Sequence, residues 1–221
     1  MLRSPHGPPF AHLVFPFARV TSCPILPIPM HQGHTMSRLA PLTESDLNDE
    51  QRVVLDAIQS GPRGKLGLIG PFAVFVRAPG IGMATQALGA AARYETSVPE
   101  RIKEVAICTV GAHFQAKFEF AAHGPMAIRA GVSETAVEAI RLGETPAFDD
   151  PGEAVSYRVA IQLLGEHRID DATYAEATDA FGEIGLIELV SIIGYYCQIS
   201  LTLNAFEIPL TTSMSDPFPE S

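Results

Sequence analysis

Glu119 and His123 stand four residues apart in the stretch AKFEFAAH (residues 116–123), and Glu104 lies fifteen residues before Glu119 in ERIKEVAIC (100–108). On a helix, residues four apart share a face, so Ala116, Glu119 and His123 form one stripe. A carboxylate in contact with an imidazole is a proton-transfer unit: either group can hold the proton that the other needs. The same pair on an exposed helix is only a solvated surface pair. Its flanks, Phe118, Phe120, Ala121 and Ala122, are apolar and favour the half-buried reading. Burial and a neighbouring acid would then bring both pKa values toward neutrality.

Glu104 would lie about 60° off this stripe if the helix ran straight back to it. It is better placed on a preceding helix packed against the first. Two buried carboxylates are costly unless paired or protonated, and a hydrogen-bonded Glu–His unit meets that demand. Glu104, Glu119 and His123 are therefore the candidate catalytic residues. Arg101 has two readings: it holds a substrate carboxylate, or it pairs with an acid at a helix start. Tyr94 and Glu95, just ahead of this region, are candidates to line the same pocket. His113 falls on another face and reads as structural, and His31 and His34 belong to an N-terminal leader.

The elements that must carry these residues are helical. LTESDLNDEQRVVLDAIQSGPRG (residues 42–64) starts a helix at Thr43 or Ser45 and ends it at Gly61-Pro62. Residues 62–80 are rich in Gly and Pro and read as an ordered loop with one short helix near Phe72 to Arg77. An Ala-rich helix follows over 80–96. Pro99 suits the start of the next, over about 100–113. The helix bearing Glu119 and His123 runs over about 115–130 and stops at Gly131. SETAVEAIRLG, EAVSYRVAIQLLGEHR and DDATYAEATDAFG give three more, the last capped by Asp170 or Asp171. LIELVSIIGYYCQISLTLNAF is apolar all round and belongs in a core or an interface. With no strand alternation and no hairpin signal, seven or eight helices make an all-α domain over 37–212. Residues 213–221 are expected to form a flexible tail.

Composition excludes several function classes. The chain has 221 residues, 47% hydrophobic and 18% charged, which suits one domain with a packed core. A formal charge of −10 and a pI near 5.1 argue against nucleic-acid or anionic-membrane partners. Cys23, Cys108 and Cys197 form no CxxC or CxxH pair, so neither a zinc site nor a dithiol is expected. They read as inert thiols of a reducing cytoplasm. No unbroken apolar run of membrane-spanning length occurs. Residues 1–36 hold many prolines and no acid, make a poor secretory signal, and read as a disordered extension ahead of a start at Met36. Val20-Thr21-Ser22-Cys23 loosely matches a lipoprotein cleavage box, a pattern that chance often produces.

The set formed by Arg101 and Glu104, then Glu119 and His123, then Ala130-Gly131 before Ser133 resembles the carboxymuconolactone decarboxylase family of the alkylhydroperoxidase D-like superfamily. The resemblance spans roughly residues 40–210, and GYYCQISLTLNAFEIPL is similar to the C-terminal helix of a longer subgroup. It implies a compact all-helical fold with Glu104 assisting proton transfer. Relatives of the peroxidase branch carry a CxxC where this chain has Ala116 and Glu119. A thiol peroxidase is therefore not expected, since a thiolate must attack the peroxide. The resemblance implies a cofactor-free and metal-free lyase acting on a small carboxylated lactone or acid from aromatic-compound breakdown. It also implies a homo-oligomer, trimer or hexamer. The alternative is a redox remnant or a small-molecule binding member of the same fold.

Overall fold

Asn48 opens the first long helix: its Oδ1 accepts from Gln51 N at 2.9 Å, and Gln51 Oε1 accepts in return from Asn48 N at 3.1 Å. This computed structural model describes residues 37–219, so the expectations for residues 1–36 lie outside the described residues. The helices are α1 (Asp49–Ser60), α2 (Phe72–Phe75), α3 (Pro79–Tyr94), α4 (Glu100–His113), α5 (Lys117–Arg129), α6 (Glu134–Leu142), α7 (Pro151–Glu166) and α8 (Asp171–Ala205). No strand occurs among the described residues, and the domain is all-α.

Most ends follow their local chemistry. Ser133 caps α6 through Ala136 N, Asp150 caps α7 through Gly152 N and Glu153 N, and Asp170 caps α8 through Thr173 N. Three expectations change. Thr43 begins only a 3-10 turn over Glu44–Asp46, and the true cap of α1 is Asn48. The two helices expected over residues 171–206 abut as one run, broken at Gly182 (φ 71°, ψ 171°), a conformation that needs the missing Cβ. The expected flexible tail is packed over its described part. Lys117 pairs with Asp216 at 2.7 Å, Arg141 donates to Pro217 O at 2.6 Å, and Phe218 meets Phe120 edge-on.

α4 is the hub. It contacts α5, α6, α7 and α8, and every residue from Ile102 to Gly111 is buried. A helix covered on all sides has no polar face left over, which is why its sequence lacks an amphipathic period. One core cluster joins α4 to α3, α7 and α8 through Ala92, Ile107, Val110, Val159, Leu189, Ile192 and Ile199. A second joins α4 to α5 and α6, and a third holds α1 against the segment that follows it. α8 has an apolar stretch of mean hydropathy 1.6 long enough to cross a membrane, but half of it is buried as the central core helix.

The link between α4 and α5 positions the candidate residues. Ala116 N donates to Gly111 O at 2.9 Å and Gln115 N to Ala112 O at 3.1 Å, the two bonds of a Schellman closure. Gln115 takes the left-handed conformation (φ 49°) that this closure demands. The turn folds α5 back along α4 and sets Glu119 and His123 facing Glu104.

Candidate active site

Glu104 has no exposed surface, and both of its carboxylate oxygens are taken. Oε2 lies 2.7 Å from His123 Nδ1, and Oε1 accepts from Arg93 Nη1. Arg93 stands in the last turn of α3, and its Nη2 also donates to Glu100 Oε1 at 2.7 Å. Lys103 is buried beside it, with Nζ donating to Arg93 O at 2.7 Å and pairing with Glu100 at 3.0 Å. Three helices thus supply one chain of groups: Arg93, Glu104, His123. Charge-assisted bonds of this kind are the strong class.

Glu119 completes the unit from the same helix as His123. Its Oε1 lies 3.3 Å from His123 Nε2, within ion-pair distance but outside hydrogen-bond geometry, and this buried oxygen has no hydrogen-bond partner among the described residues. The His123 side chain is 12% exposed. Its ring meets Tyr196 edge-on at 5.0 Å, and Tyr196 meets Tyr195 at 5.1 Å.

The electrostatics divide the two carboxylates. Burial pushes the Glu104 carboxyl up, but His123 and Arg93 more than reverse this and hold it at about 2. Glu104 is therefore a fixed anion. Burial dominates at Glu119, with Glu104 adding to it, and the carboxyl rises to about 7 despite His123 and Arg93. For His123, burial acts downward, but Glu104 and Glu119 outweigh it and raise the imidazole. One acid is locked ionised, and the other titrates near neutral pH beside an imidazole whose own pKa is raised. Groups whose environments are driven apart in this way can act as donor and acceptor.

Glu119 and His123 border a cavity of about 330 Å³, with Glu104 behind them. Leu66, Ile69, Phe72, Phe118, Met126 and Ile199 are among its apolar lining, and Arg63, Arg93, Glu119, His123, Tyr195 and Tyr196 supply polar groups. Met214 of the packed tail also reaches it. No cysteine lines it among the described residues. Cys108 sits on α4 in the second core cluster, where burial pushes its thiol well up, with Glu104 and Glu119 acting in the same direction. No group of three His, Cys, Asp or Glu side chains among the described residues is arranged to hold a metal ion.

Of the residues singled out by sequence, Glu104, Glu119 and His123 come together, and Tyr94 is half-exposed at the edge of the cavity. Arg101 is placed elsewhere. It is bound to Glu153 at 2.6 Å and faces Asp150 at 3.5 Å at the start of α7, which matches its helix-start reading and leaves it off the cavity wall. Glu95 ends α3 and is also off the wall. Sequence reasoning passed over Arg93, Arg63, Tyr195 and Tyr196. Arg93 and the two tyrosines carried a signal: a lone cation ending an Ala-rich helix, and paired phenols inside an apolar one. Arg63 lies in a loop, where no periodicity marks it.

No protein-family model matches the sequence, and no curated protein matches it. Solved structures do match. One is an alkylhydroperoxidase AhpD core, an uncharacterised peroxidase-related protein from Ralstonia eutropha JMP134, with a TM-score of 0.66 at 14% identity over 81% of this chain and 95% of that one. The debrominase Bmp8 matches with a TM-score of 0.60 at 16% identity, covering 78% and 91% of the two chains. A cysteine-to-alanine variant of Bmp8 in complex with 2,3,4-tribromopyrrole gives 0.59 at 16%, covering 78% and 90%. The described helices of this chain therefore have the all-helical fold of the alkylhydroperoxidase D core.

Proposed function

We propose that this protein is a cofactor-independent proton-transfer enzyme of the carboxy-lyase type, acting on a small carboxylated lactone or related unsaturated acid. The observation that carries this reading is the Glu104–His123–Glu119 unit facing a mainly apolar cavity whose described wall holds no thiol. The cavity has room for a small cyclic acid, and the structurally similar Bmp8 variant holds a small heterocycle.

In the reaction, the bond from carbon to the departing carboxylate breaks and its electron pair enters the conjugated lactone as a dienolate. Carbon dioxide leaves. The imidazolium of His123 then gives a proton to carbon, and the neutral ring regains one from water by way of Glu119. The net change is uptake of one proton and loss of one CO₂. Apolar walls disfavour the localised charge of the starting carboxylate relative to the delocalised anion. Glu104 keeps Nδ1 engaged, so Nε2 is the nitrogen left to face Glu119 and the cavity. Arg93 balances the charge of Glu104.

The test is CO₂ release from γ-carboxymuconolactone by the purified protein, beside His123→Gln. Release by the wild type and its loss in a folded His123→Gln support the assignment. A well-folded wild type that releases none refutes this substrate and reaction. A binding protein would show unchanged ligand affinity in the variant and no turnover in either form.

A further inference from the structure

We propose that Arg63 and Tyr195 form an anion-binding end of the cavity, which takes a carboxylate that the substrate keeps through the reaction. Nη2 of Arg63 is buried and has no hydrogen-bond partner among the described residues, and Arg63 enters no ion pair among them. Buried donors are nearly always partnered, so an orphaned guanidinium nitrogen on a cavity wall marks the place of a missing acceptor. Arg93, the other arginine on this wall, is already matched by Glu104 and Glu100.

The placement of Arg63 is built into the fold. The loop after α1 sets its guanidinium 5.6 Å from the centre of the Phe72 ring. Tyr195 reaches the same point from α8. A Cβ at Gly89 would stand 2.1 Å from the Tyr195 hydroxyl and 2.6 Å from Arg63 Nη2, so both head groups rest together against the bare backbone of α3. Burial pushes the Tyr195 phenol up to about 12, against both the charge of Arg63 and the close approach of its guanidinium to the phenol oxygen, and it remains a neutral donor. A planar guanidinium beside a phenol suits a carboxylate, which accepts from both. Leu66, Ile69, Phe72 and Phe118 then enclose an apolar or unsaturated body. The ligand class is a small organic acid with its charge at one end.

The assignment rests on reading the cavity as a substrate site, and its test separates the two. Calorimetric titration of the full chain with benzoate and with the neutral isostere benzamide reads the anion site directly. The expected result is benzoate favoured over benzamide by about tenfold or more in the wild type. Arg63→Gln should lower benzoate affinity by about 10- to 100-fold and leave benzamide unchanged. Tyr195→Phe, which keeps the ring, should lower benzoate affinity several-fold. Equal binding of the two probes by the wild type, no binding of either, or benzoate affinity unchanged in folded Arg63→Gln and Tyr195→Phe each overturns the proposal. An intact benzoate preference without CO₂ release refutes only the lyase reading. CO₂ release with an unchanged KM in Arg63→Gln refutes only the anion site.

Discussion

Glu104 Oε2 lies 2.7 Å from His123 Nδ1 across the α4–α5 contact, while Arg93 holds the other oxygen of the same carboxylate. The relationship fixes the ring of His123 from one side only. Nδ1 is committed to a permanent anion, and Nε2 is left beside Glu119, whose carboxyl titrates near neutrality. An acid and a base for one proton thus sit on one helix, oriented from the next.

Glu104→Gln removes that anion and leaves Arg93 short of a partner. Loss of one member of a buried ion pair should cost about 3 kcal/mol, read by chemical denaturation at pH 7. Glu104 has its pKa lowered on folding, so its contribution is present above about 4.5 and is lost as pH falls toward about 2. The variant should lack that part of the acid sensitivity. Glu104 also raises the His123 pKa, so the alkaline limb of the turnover profile should move to lower pH. An unmoved limb would remove Glu104 from the role of positioning residue.

Glu119→Gln should act in the opposite sense. The Glu119 pKa rises on folding, so the native state binds more protons between about 4.5 and about 7, and wild-type stability falls as pH rises through that window. The amide has no charge to bury. The variant should gain on the order of 3 kcal/mol relative to wild type at pH 8 compared with pH 4, before any coupled loss at His123. Thermal melts at the two pH values check this, and a gain that does not depend on pH would contradict it.

Arg101→Gln tests the residue for which the sequence left open a substrate-ligand reading. The structure pairs it with Glu153 and Asp150. The expected outcome is a stability loss of about 1–2 kcal/mol, because buried Glu153 loses a partner, with KM unchanged per folded molecule. A raised KM would return Arg101 to the substrate site.

Cys108→Ala and Cys197→Ala, together, should leave turnover intact, and peroxide consumption by the wild type should not exceed background. Burial raises both thiols, and neither lines the cavity. Thiol alkylation coupled to a peroxide assay decides it.

Gly89→Ala should destabilise the protein or displace Tyr195 and Arg63, since the added methyl meets both head groups at well under contact distance. A variant with wild-type stability and wild-type benzoate affinity would show that the α3 approach is looser than described.

Much of the fold was legible because helix signals are local. Ser133, Gly131, Pro99 and Asp170 mark ends that depend on a few neighbouring residues, and the structure places helix ends beside each. Glu119 and His123 were legible for the same reason, as polar groups four apart in an apolar helix. What stayed hidden is long-range. Arg93 and Glu104 are 11 residues apart on different helices, and Arg101 finds Glu153 across 52 residues. No periodicity encodes such pairings. Tail residues 213–219 read as loose because they lack a pattern, yet their anchors, Lys117, Phe120 and Arg141, lie on α5 and α6.

That tail gives the cavity a history during synthesis. Its wall is assembled from residues near 63–72, 93–94, 118–126 and 195–199, and last from Met214. A chain still emerging from the ribosome can form the α4–α5 hairpin and align Glu104 with His123 early, because their separation is only 19 residues. The enclosure around them waits for Met214. On this sequence order the proton-transfer unit is expected to form before the binding chamber closes. Truncation ahead of Met214 should spare the first and open the second.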